Sequence, residues 1–324
     1  MQTMNIRTAK GFRASVFGFI SDFGFRISDF RLSSLILALA GLCSIQAEPS
    51  GTLTIQSDLP GARINPHMWG VFFEDINLGA DGGLSAELVK NRSFEFPQPL
   101  MGWRRIERDT AEVKLSVQGD QPLSPQNPHF LRMVIADAGT VAGIANEGFR
   151  GVGVRKGERY LFSMFARAVG EFPGPLVVGL TTEQGEVLGQ AKIEKISSAW
   201  SPYQCAITAS RDEPKAMLAL LSGRPGTLDL DLISLYPKRT WKNRPNGLRA
   251  DLVQMLADLK PGFLRFPGGC IVEGHHLTNR YQWKATLGAP ADRPLMLNRW
   301  NNEIKHRPTP DYYQSFALGF YEYF

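Results

Sequence analysis

Trp69-Gly-Val-Phe-Phe-Glu-Asp-Ile-Asn77 is the segment around which the chain is organised. Its apolar run, Val71 to Phe73, stops at two adjacent carboxylates, Glu74 and Asp75. A short continuous apolar run predicts a strand buried on both faces. In parallel α/β sheets and barrels the C-terminal ends of strands line the active site. That places Glu74 at the mouth of a pocket of sugar or cofactor size. The alternative is that Glu74 and Asp75 cap a solvated loop, as most carboxylates do.

Downstream, Gly79-Ala-Asp-Gly-Gly83 reads as a flexible loop, and Leu84–Lys90 has the spacing of a short helix with Leu84 and Leu88 on one face. From about Phe94 to Tyr236 the texture changes. Strand-like runs occur at 131–135, 151–154, 160–166, 175–180, 203–207, 216–221 and 228–233, separated by Gly, Pro, Asn and Asp clusters. Many short strands without a helix predict a β-sandwich of about 140 residues. Cys205 falls inside one of them and reads as a small core hydrophobe.

After Pro237 the pattern switches. Asn246–Lys260 predicts a helix with Asn246 as N-cap and Leu248, Leu252, Met255, Leu256 and Leu259 as one apolar stripe, stopped by Pro261-Gly262. Phe263–Phe266 then reads as a second buried strand running into Pro267-Gly-Gly-Cys270. With the sandwich set aside, the remainder is one βαβ unit. Glu74 and Gly268-Gly269-Cys270 end its two strands on the same side, where tandem glycines let backbone approach a ligand closely. Tyr312–Phe324 reads as a helix that has begun, and Thr52–Ser57 alternates as a half-buried strand.

The chain has 324 residues, 43% of them hydrophobic and 21% charged, ordinary for a globular protein. Its net charge of +5 is uneven. Residues 1–47 hold five basic and two acidic side chains, which leaves 31 basic against 29 acidic in the rest. The basic balance therefore comes largely from the leader and does not signal nucleic-acid binding. Within that leader, Arg26 and Arg31 precede the apolar core Leu35–Cys43, too short to span a bilayer, and Ala47 is a plausible cleavage point. We therefore expect export, with no membrane anchor after leader removal. Cys205 and Cys270 could pair in an oxidising compartment but do not make a disulfide framework. His275 and His276 are adjacent, which is the wrong spacing for a shared metal, so neither a metal site nor a cofactor is expected.

Several long segments resemble the α-L-arabinofuranosidases of glycoside hydrolase family 51. They are Phe72–Asn77, Asp81–Leu84, Glu87–Phe96, Lys238–Leu248, Leu264–Cys270 and Asn279–Trp283. The resemblance covers nearly all of the chain after the leader, with the sandwich matching more loosely. It implies a multidomain α/β plus β architecture: the N-terminal part of a (β/α)8 TIM barrel with an inserted carbohydrate-binding-type β-sandwich. The implied boundaries are a leader at 1–47, the first barrel strand region at 48–94, the sandwich at 95–240 and the start of the barrel at 241–324. It further implies that Glu74 hydrogen-bonds arabinose hydroxyls, that Gly269 and Cys270 line the same subsite, and that Trp283 contacts the sugar or its aglycone. The partner would be an arabinofuranosyl-containing plant polysaccharide or oligosaccharide.

Retaining glycoside hydrolysis needs two carboxyl groups about 5–5.5 Å apart. In the family these lie on barrel strands four and seven, beyond Phe324 on this alignment, so the resemblance implies no catalytic carboxyl in residues 1–324 and an inactive chain. Trp300-Asn-Asn-Glu303 is similar to the Asn-Glu signature of the acid/base, but falls after strand two. Glu74 and Asp75 cannot be the pair, because neighbours on a strand point apart. Two other readings remain: a carbohydrate-binding protein without chemistry, using Trp103, Trp200, Tyr203 or Trp241 as a stacking platform, or a degenerate product with no activity.

Overall fold

A computed structural model describes residues 58–59, 61–139, 141–303 and 312–323. The expected leader, its charge pattern and the Thr52–Ser57 strand lie outside the described residues. The chain divides into two compact units, Met1–Asn65 and Pro66–Phe324. All of the described strands belong to the second.

Fifteen strands are described: β1 (Val71–Phe72), β2 (Trp103–Arg108), β3 (Glu112–Gln118), β4 (Phe130–Asp137), β5 (Val141–Asn146), β6 (Val152–Val154), β7 (Arg159–Ala168), β8 (Leu176–Thr181), β9 (Val187–Ile193), β10 (Ser201–Thr208), β11 (Glu213–Ser222), β12 (Gly226–Pro237), β13 (Leu264–Arg265), β14 (Met296–Leu297) and β15 (Tyr313–Gln314). β2 to β12 form the sandwich. One sheet has the order β10-β7-β12-β4-β3; the other runs β2-β5-β11-β8-β9, with β6 also on β11. All their pairings are antiparallel.

β7 shows why these residues fold this way. Tyr160, Phe162, Met164, Ala166 and Ala168 are buried in strict alternation, while their neighbours are exposed or half-buried. Each large apolar side chain so placed contributes about 1.5–3 kcal/mol. All seven runs read as strands from sequence are strands in the structure. β2, β3, β5 and β9 are additional to them. Of these, β2, β3 and β9 are sheet edges, where one face meets water and charge interrupts the apolar pattern. Cys205 is half-buried against the core, its thiol pushed up to about 11 by burial, and both Cys205 and Cys270 are free thiols.

Gly143 sits in the middle of one sheet with φ +156°, and a Cβ there would stand 2.0 Å from the Leu220 carbonyl oxygen of the next strand. Gly143→Ala is expected to lower stability by roughly 2–4 kcal/mol, since strand separation itself must change. A urea midpoint unchanged from the parent would refute this.

Outside the sandwich, β1 and β13 pair in parallel, Val71 opposite Leu264 and Phe72 opposite Arg265. The expectation that both strands are buried on both faces does not hold. Phe72, Phe263 and Leu264 are each about half exposed, because the two strands pair only with each other among the described residues. The helix spans Ala250–Asp258, shorter than expected. Its N-cap is Arg249; Asn246 instead adopts a left-handed conformation in the preceding turn. The apolar stripe is only partly covered, with Met255 68% exposed.

The helix expected at 84–90 is absent. Ala86 N–H donates to Gly247 O and Leu88 N–H to Leu235 O, so the segment is stitched to β12 and to the turn before the helix. Those distant backbone partners replace the local ones a helix would use. The Gly79–Gly83 stretch is not loose either: Leu84 N–H donates to Gly79 O at 2.8 Å and Ser85 N–H to Ala80 O at 3.0 Å, closing it into one wide turn. At the other end, Tyr313–Gln314 pairs with Met296–Leu297 and only Phe320–Tyr323 forms a helical turn, where a longer helix was expected. No described helix is long and apolar enough to cross a membrane.

Candidate functional site at the ends of the parallel strands

The parallel ladder continues past the strands themselves. Phe73 N–H donates to Arg265 O at 3.0 Å and Asp75 N–H to Pro267 O at 3.1 Å. This fixes the register in which Glu74 meets the Gly268-Gly269-Cys270 turn. Glu74 Oε1 accepts a hydrogen bond of 3.0 Å from the Ile271 N–H. Oε2 makes no hydrogen bond among the described residues and lies on the Gly269 side.

Gly268 and Gly269 make room for this carboxylate. Gly268 has φ +147°, and a Cβ there would lie 2.6 Å from Glu74 Cγ. At Gly269 a Cβ would stand 3.6 Å from Glu74 Oε2, 3.6 Å from the Phe72 ring and 3.7 Å from Arg265 Nη2. The Arg265 guanidinium in turn sits 4.5 Å over the Phe72 ring. One face of the strand pair therefore carries Phe72, Arg265 and Glu74 around a backbone turn without side chains. Arg299 braces that turn, donating to Cys270 O at 3.3 Å, to Gly274 O at 3.1 Å and to Glu273 Oε1 at 3.0 Å.

The opposite face is aromatic and acidic. Phe73 stacks on Phe266, with centroids 6.0 Å apart, and Phe266 contacts Tyr281, Phe320 and Tyr323. Trp283 joins this stack through Phe320 at 5.5 Å and is 46% exposed. Glu74, Gly269 and Cys270 are thus brought together, while the contacts of Trp283 run to the other face.

Asp75 faces inward and is buried. Its Oδ1 accepts from Ala80 N–H at 2.9 Å, its Oδ2 accepts from Gln314 Nε2, and its carbonyl accepts from Asn298 Nδ2 at 3.0 Å. Burial, reinforced by the neighbouring Asp81 carboxylate, pushes its pKa from 3.8 up to about 7. Asp81 is buried too, its Oδ2 held by the Ser315 N–H at 2.7 Å and hydroxyl at 2.8 Å, and burial raises its pKa. Glu87 Oε1 takes the Val89 and Leu235 N–H groups at 3.0 and 2.9 Å. Burial raises Glu87 as well, against the opposing pull of the buried Arg92 guanidinium. Sequence reasoning missed this buried acidic set. Its one local signal is that Asp81 and Glu87 flank a Gly-Gly-Leu run where solvated loop carboxylates are the default reading.

No group of three His, Cys, Asp or Glu side chains among the described residues is placed to hold a metal ion.

Residues 255–324 match the family described as the alpha-L-arabinofuranosidase 1 domain. An extracellular exo-α-L-arabinofuranosidase of Streptomyces chartreusis is 37% identical over 292 residues, covering 84% of this chain and 32% of that protein. α-L-Arabinofuranosidase 1 of Arabidopsis thaliana is 35% identical, covering 77% and 38%. The solved structure of an arabinose-bound MgGH51 α-L-arabinofuranosidase superposes with a TM-score of 0.72 at 33% identity, over 82% of this chain and 43% of that one. Over most of its own length the chain is similar to the family 51 α-L-arabinofuranosidases. It spans between about a third and a half of the length of these arabinofuranosidases. The match to the family domain begins inside the helix Ala250–Asp258 and takes in the Gly268–Cys270 turn against which Glu74 packs.

Proposed function

We propose that this chain supplies the sugar-holding wall of an exported retaining α-L-arabinofuranosidase acting on terminal arabinofuranosyl groups of plant polysaccharide or oligosaccharide. β1 and β13 are read as the first two strands of a (β/α)8 barrel into which the sandwich is inserted, and residues 1–47 as the export leader. The observation that carries this reading is Glu74 at the end of β1, one oxygen anchored on the Ile271 N–H and the other turned to the side-chain-free turn at Gly269. A carboxylate oxygen accepts hydrogen bonds from sugar hydroxyls and donates none while ionised. With Oε1 occupied, Oε2 is the atom that orients the furanose ring, and Gly269 and Cys270 line the ring's path. Trp283, on its own aromatic stack, meets the aglycone side.

Glu74 holds the sugar and does not cleave it. Its sequence neighbour Asp75 is turned to the other face and buried against Gln314 and Ala80, so the two cannot serve as the facing pair that retention requires. The hydrolytic pair belongs to barrel strands beyond β13.

The test uses the full chain in two assays. L-Arabinose binding, read by calorimetry, is expected to fall at least tenfold on Glu74→Gln, consistent with losing a charge-assisted hydrogen bond of about 1.5–3 kcal/mol. No hydrolysis of 4-nitrophenyl α-L-arabinofuranoside above background is expected. Hydrolysis that disappears on Glu74→Gln would make Glu74 catalytic and sink the proposal.

A further inference from the structure

We propose that the cleft between the sandwich and residues 239–243 is a second carbohydrate site, one that takes a neutral oligosaccharide chain. The cleft has a volume of about 980 Å³, and its lining includes none of Glu74, Gly269, Cys270 and Trp283. That size suits a small-molecule or short-oligomer ligand.

The wall is rigid before any ligand arrives. Trp241 N–H donates to Leu248 O at 2.8 Å, Arg249 N–H donates to Leu84 O at 2.9 Å, and Thr240 bridges Arg249. Lys242 and Asn243, next to Trp241, both hold positive φ, of 52° and 54°, in non-glycine residues. Such backbone costs on the order of 1–3 kcal/mol per residue and persists only where surrounding bonds over-determine it. The product is a fixed backbone that sets a half-exposed Trp241 at the cleft wall, with Lys242 Nζ 5.9 Å from its ring centroid. An indole offers an apolar face to the C–H side of a sugar ring at little cost in conformational freedom.

The charges around it decide the ligand's character. Four basic residues, Arg155, Arg239 and Lys242 among them, and five acidic ones line the cleft, so neither sign dominates. A phosphate or nucleic-acid ligand would meet its own sign at close quarters; a neutral polyhydroxyl chain finds donors and acceptors together. The Arg155 and Arg239 side chains make no hydrogen bond or ion pair among the described residues, so both are available to hydroxyl oxygens.

Affinity electrophoresis of the full chain in gels containing soluble linear arabinan or arabinoxylan tests this, with calorimetry on an arabino-oligosaccharide as the quantitative arm. The chain is expected to be retarded. Trp241→Ala and the surface double variant Arg239→Ala/Lys242→Ala are each expected to weaken binding at least tenfold, and Glu74→Gln to leave oligosaccharide binding by the cleft in place. Thermal melts establish that each variant is folded, and the double variant decides the matter if Trp241→Ala is not. Absence of retardation, or binding lost on Glu74→Gln and untouched by both cleft variants, overturns the proposal. Monosaccharide binding lost on Glu74→Gln but not on Trp241→Ala reports on the first site separately.

Discussion

Gly268→Ala is expected to abolish L-arabinose binding by this chain and to lower its stability by roughly 2–4 kcal/mol. The added methyl would lie 2.6 Å from Glu74 Cγ, 2.9 Å from Glu74 Cα and 2.8 Å from Ile271 Cγ2. None of these is the far end of a flexible side chain. Relief must come from moving β1 away from the turn or from swinging Glu74 off the Ile271 N–H. Either movement removes the anchored oxygen on which the orientation of Oε2 depends. The backbone adds to the cost, because φ of +147° is adopted readily only by glycine. Calorimetry with arabinose and a urea titration read the two effects separately. A variant that binds arabinose like the parent would show that Glu74 does not need its present seat.

The second large effect concerns pH. Asp75 has its pKa raised from 3.8 to about 7, first by burial and next by the Asp81 carboxylate. The groups that face it are Glu74 beside it in sequence, Asp81 on the following turn, Gln314, and the hydroxyls of Tyr281 and Tyr323. The folded state therefore holds a proton that the unfolded chain releases above about pH 4. Stability from this group is fully present below about pH 4 and is lost as pH rises to about 7. Over that window the loss is on the order of 4 kcal/mol. Asp81 and Glu87, raised by burial as well, act in the same direction.

Asp75→Asn is isosteric with the protonated acid. It keeps an acceptor for the Ala80 N–H, and its amide can donate to Gln314 Oε1, which is buried without a partner in the parent. We expect this substitution to flatten the decline, so that the variant melts above the parent at pH 8.5 and close to it at pH 5. Parallel pH profiles for the two proteins would rule this out.

The candidate site was legible in part, and for a physical reason. Glu74 stands at the end of an apolar run, and Pro267-Gly-Gly-Cys270 ends a second one, so both strand ends could be read from local pattern alone. The buried acids could not. Asp75 owes its environment to Gln314, 239 residues away; Asp81 to Ser315, 234 away; and Glu87 to Leu235, 148 away. A carboxylate next to glycines in sequence carries no mark of such a partner.

The same division runs through the fold. Alternation at 160–168, punctuation by Gly and Pro, and the stop at Pro261-Gly262 are short-range, and they determined seven strands of the sandwich, the helix before β13 and the strand end that presents Glu74. Only the tertiary structure decided that 84–90 is pinned to β12 and forgoes its helix. It alone decided that the stripe at Met255 and Leu259 stays largely exposed, that Trp283 stacks away from Glu74, and that a cleft opens beside Trp241. Each of these depends on hydrogen-bond donors, acceptors and apolar surfaces brought together from distant parts of the chain. Their energies, about 0.5–1.5 kcal/mol per hydrogen bond, match or exceed the helix propensities that local sequence expresses.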